Sequence, residues 1–586
     1  MRQTKKKITS QVSWNFQPVS PESYHEGRNE RFHVINNRRY NSHGQRIFRD
    51  LQLFSGIGGG SLGFKDALVE YGGETGRFEN IIGIDADPGA CQNYEAITGS
   101  KSVCMDLFSR EQFIAFHGVE PPEGWREVTG RDLLAACGYI YPDVIFTSPP
   151  CKGFSGLLPE RSAKSAKYQA LNELTIRGIQ LCLNAFQDDL PSLFILENVP
   201  RIRTRGKFIL KRIEKLLESH GYAVSPQERR VYDAGAFGGL GATRKRFLLV
   251  ARLTTKVSNF LHLPEAHPLK TIGNVLEQLP LPGDLVAGGP MHKIQKLAFK
   301  TALRLALIPA GEDWRSLKRI DYTKLRLFNM DSSVSVDIGN MELNINSENG
   351  KTNLYRVQRY DEPAGCVTGS AGPSNGGTCI ADPMLKERDS RHPGVYRVVP
   401  NNEPSPCITG TRFGSGAPAY SDKRTAKEAM DLLLGCSPRA GTYGVQEWDE
   451  TGKTVTGSCD VHAGTASVAD PRTPNDNERG IWIIISEDGT WHRPLTTYEL
   501  AMLQGFPTHL QDGRPFQLIG SKKDQKWREW IGNAVPPRAA QAIAEQMMAT
   551  LMASEQNEFL MTWNEVWVSP VIQSMIYDEP VVSWVH

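Results

Sequence analysis

The chain has 586 residues, 40% of them hydrophobic, 23% charged and 9% aromatic, a globular composition that excludes wholesale disorder and fibrous repeats. Its 67 basic and 65 acidic residues leave a net charge of +2, so a nucleic-acid partner would have to be met by a local basic surface. The longest apolar run, 481–485, is too short for a membrane span, the basic N-terminus lacks the apolar core of a secretory signal, and ten cysteines without a Cys-x-x-Cys pair fit neither a disulfide scaffold nor a zinc ribbon. The expectation is a soluble, cytoplasmic protein of several domains, without membrane attachment or bound metal.

Residues 1–46 are polar and aperiodic and are expected to form an extension, partly ordered at best. From 47 to 255, short apolar runs at 51–54, 81–84, 144–146, 193–196 and 247–251 read as strands. Helical patterns separate them, notably at 176–186 and 208–219. Such alternation predicts an α/β fold with a parallel, doubly wound sheet. From 256 to about 490 the texture turns to Gly, Pro, Ser and Thr, and the chain repeats itself. Tyr355-Arg356-Val357, Asp361-Glu362-Pro363 and Val367-Thr368-Gly369 recur as Tyr396-Arg397-Val398, Glu403-Pro404 and Ile408-Thr409-Gly410. They recur again as Tyr443-Gly444-Val445, Asp449-Glu450 and Val455-Thr456-Gly457. The Tyr-to-Thr offset is 13 each time, the mark of one supersecondary unit used three times, at about 355–383, 396–422 and 443–471. Helical texture returns at 496–504 and 538–548, and a Trp-bearing tail closes the chain.

Gly56-Ile57-Gly58-Gly59-Gly60-Ser61-Leu62-Gly63 follows a strand and opens a helix. Glycines there let the backbone approach a ligand, and Asp85, at the end of the next strand, is placed to take ribose hydroxyls. This motif alone also suits a nicotinamide dehydrogenase. Asp106 ends a further strand-like stretch, where an acid can meet an adenine amino group. The stretch Ser148-Pro149-Pro150-Cys151-Lys152-Gly153-Phe154 is the most informative. Two prolines fix the backbone after a buried strand, and Cys151 stands at the strand's carboxyl end, where such sheets bind ligands. A thiol with an ordinary pKa of about 8.5 needs a cationic neighbour to act as a nucleophile. A later strand delivers Glu197-Asn198-Val199 to the same edge, an acid able to hold a proton. Arg244 and Arg246, two apart at the start of the last strand, project to one side.

These residues, in this order, resemble the DNA cytosine-5 methyltransferase family. Phe54, Gly56, Gly58 and Gly59 are similar to its first motif, Pro150-Cys151 to its nucleophile motif, and Glu197-Asn198-Val199 to its acid motif. Arg244 and Arg246 match the arginine pair, the Leu495–Pro507 stretch the motif framing the recognition domain, and Ile531-Gly532-Asn533-Ala534-Val535-Pro536 the final motif. The sequence departs at Gln52, where the family usually has Asp, and at Lys152 and Ala242, where it usually has Gln. The resemblance implies a Rossmann-like S-adenosylmethionine-binding catalytic domain, 47–255 with 525–552. It also implies a β-rich target-recognition domain, 256–524, inserted between them and followed by a tail, 553–586.

The same resemblance implies a function and a set of site residues. Cys151, Glu197, Arg244 and Arg246 are the catalytic residues, and Phe54, Gly56, Gly58, Gly59, Asp85, Asp106, Pro150 and Asn533 hold the donor S-adenosylmethionine. The substrate is a cytosine in a specific sequence of double-stranded DNA, the enzyme is expected to be a monomer, and a cognate restriction or defence system is a candidate partner, with an orphan or phage-borne enzyme as the alternative. Alternative readings within the family are a tRNA methyltransferase and a catalytically idle DNA-binding relative. The loop 152–167 is long enough to close over DNA. The run Arg201 to Arg212 is a candidate phosphate track. The segments between repeats, including Arg412 and His462, are candidate base-reading loops.

Overall fold

The computed structural model describes residues 33–35, 38–154, 165–227, 230–309, 319, 361–364, 491–510, 512–560, 562 and 564–569. Between 326 and 484 it further describes short strands and a few single positions. Two compact units emerge, one formed by 1–293, 360–371 and 495–586 and the other by 294–359 and 372–494.

The first unit is built on a mixed sheet. Strands β1 (Arg46–Leu53), β2 (Glu74–Asp85), β3 (Ser102–Cys104), β4 (Val144–Thr147) and β5 (Leu193–Asn198) run parallel in the order β3-β2-β1-β4-β5. Three more follow in sequence: β6 (Tyr222–Val224), β7 (Val231–Asp233) and β8 (Lys245–Leu253). β8 lies antiparallel to β5, with Leu248 opposite Glu197, and carries β6 and β7 antiparallel to itself. The expected sheet is therefore present, with one correction: the strand expected at 247–251 runs against the others. An apolar run reads the same in either direction, so its sense came only from pairing.

Every residue of β4 and β5 is buried, as a strand covered on both faces requires. Alternate side chains go to two separate cores. Leu53, Ile145, Phe194, Leu196 and Leu249 pack beneath α3 (Ala166–Ala185) and α4 (Lys207–Ser219). Phe48, Phe146, Leu193, Ile195 and Leu248 pack with Ile543, Met547 and Leu551 of the C-terminal helix Pro537–Glu555. Between the strands lie α1 (Gly59–Asp66) and α2 (Pro88–Thr98), and the unit also holds α5 (Ile272–Leu276), α6 (Thr497–Leu503), α7 (Asp524–Asn533) and α8 (Pro537–Glu555), besides further helices such as Arg110–His117 and Gly130–Ala136. The helix starts are chemically specified. Asp87 caps α2 by accepting from the amides of Gly89 and Ala90 with Pro88 at the first position, and Thr496 and Glu499 form a reciprocal capping box on α6.

Residues 256–293 and 495–524, which the sequence reading groups with the insertion, cluster with the first unit. The described end of the extension is tied to the sheet, because Arg38–Tyr40 pairs with β1 and Arg46 bonds Glu555. The described part of the tail is also core: Val566–Val568 pairs with Leu261–His262, and Trp567 is fully buried beside Tyr232. Such attachments are long-range and leave no local pattern to read. No helix among the described residues is long and apolar enough to cross a membrane.

In the second unit the three repeats share one element. Val357–Gln358 pairs in parallel with Cys379–Ile380, Val398–Val399 with Ala419–Tyr420, and Val445–Gln446 with Ser467–Val468. Each repeat thus opens, two residues after its Tyr, with a strand that meets a partner near the repeat's far end. Arg412 and His462 lie outside the described residues.

At the seam between α1 and α8 the two helices approach down to their backbones. A Cβ on Gly63 would lie 2.2 Å from the carbonyl oxygen of Pro537 and 2.6 Å from the amide nitrogen of Gln541, both backbone atoms that cannot turn aside. Gly63→Ala is expected to cost about 1–3 kcal/mol, the range for overpacking, read as a lower midpoint in urea unfolding.

Candidate active site

The strand order reverses at β1, which has β2 on one side and β4 on the other. The loops leaving β1 and β4 therefore diverge and open a crevice at the carboxyl edge. The glycine loop and the Pro-Pro-Cys turn leave from those two strands. Backbone bonds lock them together at the root: Ser55 donates to the carbonyl of Ile84 at 2.9 Å, Ser148 to that of Leu53 at 3.2 Å. The Ser148 hydroxyl also donates to the Phe54 carbonyl at 3.1 Å.

In the glycine loop, Gly58 adopts φ 88°, a left-handed conformation that side-chain-bearing residues avoid. A Cβ there would sit 2.6 Å from Thr98, and one on Gly59 would sit 2.1 Å from the Val535 carbonyl. The loop and the segment after Asn533 are thus in backbone contact, with Asn533 itself exposed. Asp85 accepts from the amides of Gly56 and Asp87, one on each oxygen, both at 2.9 Å. Burial pushes its carboxyl above the ordinary value, and those two donors oppose the shift. Asp106 is likewise pushed up by burial, against the Phe108 amide and Trp125. Ser55 and Ser61 keep buried hydroxyl oxygens without a partner among the described residues. A cradle of glycines, two carboxyls on adjoining strands and unmatched hydroxyls fits a polar, hydroxyl-bearing ligand such as a nucleoside.

Across the crevice, Cys151 follows Pro150 and turns back at once, its carbonyl accepting from the Phe154 amide at 3.0 Å. Phe154 is fully buried and anchors the turn. Asn198, at the end of β5, donates to the Pro149 carbonyl at 3.2 Å and so couples the acid strand to the nucleophile turn. Because β8 is antiparallel, its first residues arrive at this same edge. Arg246 pairs with Glu197 at 2.8 Å. Arg244, nearly inaccessible, donates to the carbonyls of Gly532 and Ala534 at 3.2 and 2.6 Å, and its amide is held by Asp233. Burial raises the Cys151 thiol above its ordinary value. The Glu197 charge adds to this, while Arg246 and Arg244 act against it.

The three departures from the family pattern each have a local fit. Gln52 donates to Asp50, which also receives the Asn80 amide on both oxygens. Asp50 is fully buried and its carboxyl is pushed up to about 7 by that burial. An acid at 52 would set a second carboxylate against it, whereas an amide satisfies it. Lys152 pairs with Glu529 of α7 at 3.3 Å, and Ala242 is buried under a bridge with Ala364.

Sequence reasoning singled out the residues that carry reactive groups and passed over those that join segments. Asn198 is one. Another is the ladder on α7, where Lys526 pairs with Asp87 at 2.8 Å and Trp530 donates to the same carboxylate at 2.9 Å. Lys526, Glu529 and Trp530 share one helix face by their spacing, the one signal that pointed there. Of the loop 152–167, residues 155–164 lie outside the described residues. No group of His, Cys, Asp or Glu among the described residues is arranged to hold a metal ion.

The sequence matches the C-5 cytosine-specific DNA methylase family over residues 48–280 and 395–549. It is 25% identical over 235 residues to the type II methyltransferase M.XorII of Xanthomonas oryzae pv. oryzae, covering 39% of this chain and 46% of that protein. A type II methyltransferase of Haemophilus parahaemolyticus, M1.HphI, is 24% identical over 233 residues, 39% of this chain and 52% of its own length. DNA (cytosine-5)-methyltransferase 1 of Rattus norvegicus is 23% identical over 560 residues, covering 87% of this chain and 28% of that protein. The chain thus spans about half the length, or less, of these curated relatives. Among solved structures, the Entamoeba histolytica methyltransferase EhMeth superposes with a TM-score of 0.40 at 14% identity, over 87% of this chain and 99% of that one. An Escherichia coli prophage protein described as a DNA modification methyltransferase gives 0.36 at 18% identity, over 85% and 98%.

Since only the thiolate is alkylated and Cys151's pKa lies above the ordinary thiol value, its alkylation by iodoacetamide should still be rising with pH at and above pH 9. Arg246→Gln removes a cation that favours the thiolate and leaves the Glu197 charge uncompensated. Peptide mapping by mass spectrometry should show slower Cys151 alkylation at pH 8 and a midpoint moved further up.

Proposed function

The chain belongs to the C-5 cytosine-specific DNA methylase family, and on that premise we propose that it is a DNA (cytosine-5)-methyltransferase. It takes a methyl group from S-adenosylmethionine and places it on C5 of a cytosine flipped out of a specific duplex sequence. The observation that carries this reading is the Arg246–Glu197 pair at 2.8 Å beside the Cys151 turn, on the sheet edge where the glycine loop begins.

C5 of cytosine is a weak nucleophile. In the proposed sequence the Cys151 sulfur bonds to C6 while Glu197 holds the proton at N3, which raises electron density at C5. C5 then takes the methyl from the donor's sulfonium, a base removes the C5 proton, and the thiolate leaves as the ring double bond re-forms. Arg246 orients Glu197 and Arg244 ties the catalytic strand to the Asn533 loop. The donor, where bound, supplies the electrophilic methyl. Phe54, Gly56, Gly58, Gly59, Asp85, Asp106, Pro150 and Asn533 are the groups proposed to hold it, with Asp85 acting by presenting the Gly56 amide as well as its own oxygen. Target selection is assigned to the repeat-bearing insertion, and a cognate restriction or defence system is the proposed partner of a cytoplasmic, monomeric enzyme.

DNA contact is proposed along the segment after Glu197. Arg201, Arg203, Lys207, Lys211 and Lys215 are exposed, whereas Glu173 is engaged by Arg212 and Glu214 by Arg230, which leaves Glu218 as the further acid on α4. The surface of this segment is therefore mainly positive, which suits a phosphate backbone.

The decisive assay incubates the protein with labelled donor and, separately, duplex DNA and tRNA. Label should enter duplex DNA, and DNA carrying 5-fluorocytosine should trap the protein covalently through Cys151; Cys151→Ala should lose both. Label in tRNA alone would overturn the substrate assignment. Asp85→Ala should weaken donor binding by about 1–3 kcal/mol in calorimetry. Lys207→Glu with Lys211→Glu should weaken binding to all duplexes alike and shrink the slope of log affinity against log salt by about two.

A further inference from the structure

Two cysteines that the proposed chemistry does not use meet at the donor side of the crevice. Cys104 is the last residue of β3 and stands opposite Asp85, the last residue of β2, in the parallel register. Cys91 lies in the first turn of α2, six residues after Asp85. Their sulfurs donate to consecutive carbonyls, Cys91 to Asp85 at 3.5 Å and Cys104 to Ala86 at 3.6 Å. The two thiols also hydrogen-bond each other. The turn that they hold, Asp85-Ala86-Asp87, carries the carboxyl that accepts from the Gly56 amide and the residue that caps α2.

The two sulfurs differ in access and in acidity. Cys91 is buried, whereas Cys104 is only half-buried. The hydrogen bond from Cys91 holds the Cys104 thiol below its ordinary value, against burial and the charges of Asp85, Asp87 and Asp106. The same bond, together with burial, pushes the Cys91 thiol up. Cys137, Cys151 and Cys182, the other cysteines among the described residues, are all pushed up by burial. An accessible, acidified thiol beside a protonated one is the arrangement in which oxidation is captured as a disulfide before it climbs to sulfinic acid.

We propose that Cys91 and Cys104 form an oxidisable dithiol, which hydrogen peroxide closes to a disulfide that lowers the affinity of the donor site. The effect on affinity rests on the methyltransferase reading above, which sets S-adenosylmethionine against Asp85 and Asp106. In the first step the Cys104 thiolate attacks one peroxide oxygen. The O–O bond breaks, hydroxide leaves and takes up a proton, and Cys104 becomes a sulfenic acid. The Cys91 sulfur then attacks the Cys104 sulfur, and the S–O bond breaks as hydroxide departs with the Cys91 proton as water. Two thiols give up two electrons, and one peroxide is reduced to two waters. Closure brings the sulfurs from hydrogen-bond separation to about 2.05 Å. It also removes both S–H donors from the Asp85 and Ala86 carbonyls, so the turn that presents Asp85 shifts.

The test treats the full chain with hydrogen peroxide and then with dithiothreitol. Peptide mapping by mass spectrometry without reduction should find the Cys91 and Cys104 peptides joined after peroxide. Calorimetry should find S-adenosylmethionine bound about tenfold more weakly, as when one hydrogen bond to a charged group is lost. Dithiothreitol should restore both. Cys104→Ser and Cys91→Ala should bind the donor within a few-fold of the reduced chain and keep that affinity in peroxide. The proposal is overturned if Cys104 passes to sulfinic acid with no joined peptides, or if the disulfide forms and affinity is unchanged. It is equally overturned if Cys104→Ser loses affinity in peroxide as the unaltered chain does, which puts the effect on another cysteine such as Cys151. Should Cys91→Ala fail to fold by its thermal transition, Cys104→Ser, at the more exposed position, decides by the same comparison. A reduced chain that binds no S-adenosylmethionine, while the disulfide still forms, would instead sink the donor reading and the proposed effect on affinity with it.

Discussion

The reversal of strand order at β1 is the constraint on which the rest of the first unit depends. A parallel sheet buried on both faces exposes function only at its edges, and its loops diverge only where the order turns. With β2 and β4 on opposite sides of β1, the glycine loop and the Pro-Pro-Cys turn leave adjacent strands and face one crevice. β5 adds Glu197 one strand further out. The antiparallel β8 then solves a geometric problem, since a parallel strand there would have left Arg244 and Arg246 at the opposite edge. Its reversed sense puts the arginines at the carboxyl ends of the others.

Polar contacts in this site mostly join segments that are far apart in the chain. Glu197 and Arg246 are each 12% exposed, a regime in which losing one partner leaves the other charge unmatched at a cost of about 3–5 kcal/mol. The ladder from Asp87 through Lys526 to Glu529 and Lys152 is more open, and each exposed rung contributes about 0–1 kcal/mol. The two sets therefore differ in kind. The first fixes reactive groups, whereas the second holds α7 and the base of the nucleophile loop near the glycine loop loosely enough to be opened by a ligand or by salt.

The repeats answer a different demand. Each contributes a parallel strand pair only two residues long in its matched positions, and isolated two-stranded pairs have little stability of their own. The three pairs recur at matched positions while the segments between them differ in sequence, and the first is extended by a third strand, Trp491–Pro494. The first repeat's Glu362-Pro363-Ala364 segment meets Gly241, Thr243 and Ile272 through backbone hydrogen bonds, which any residue but proline at the donating positions supplies.

Local chemistry was legible from the residues alone. Apolar runs marked the carboxyl-terminal ends of β1 and β2, whose strands begin earlier, at Arg46 and Glu74, and marked β4, β5 and β8; the double proline marked the turn at Cys151, and the glycines marked a backbone that a ligand can approach. These signals survive in one dimension because strand burial, proline rigidity and glycine freedom act within a few residues. Three things were decided only by the tertiary structure. The sense of β8 followed from its pairing with β5, because an apolar run carries no direction. Residues 38–46, 256–293, 495–524 and 564–569 joined the first unit through contacts such as Arg46 with Glu555 and the burial of Trp567, which span hundreds of residues. The fit of Gln52 depended on Asn80 meeting the same buried carboxyl of Asp50. In each case the deciding energy lies between groups distant in sequence, so it exists only once the chain has folded.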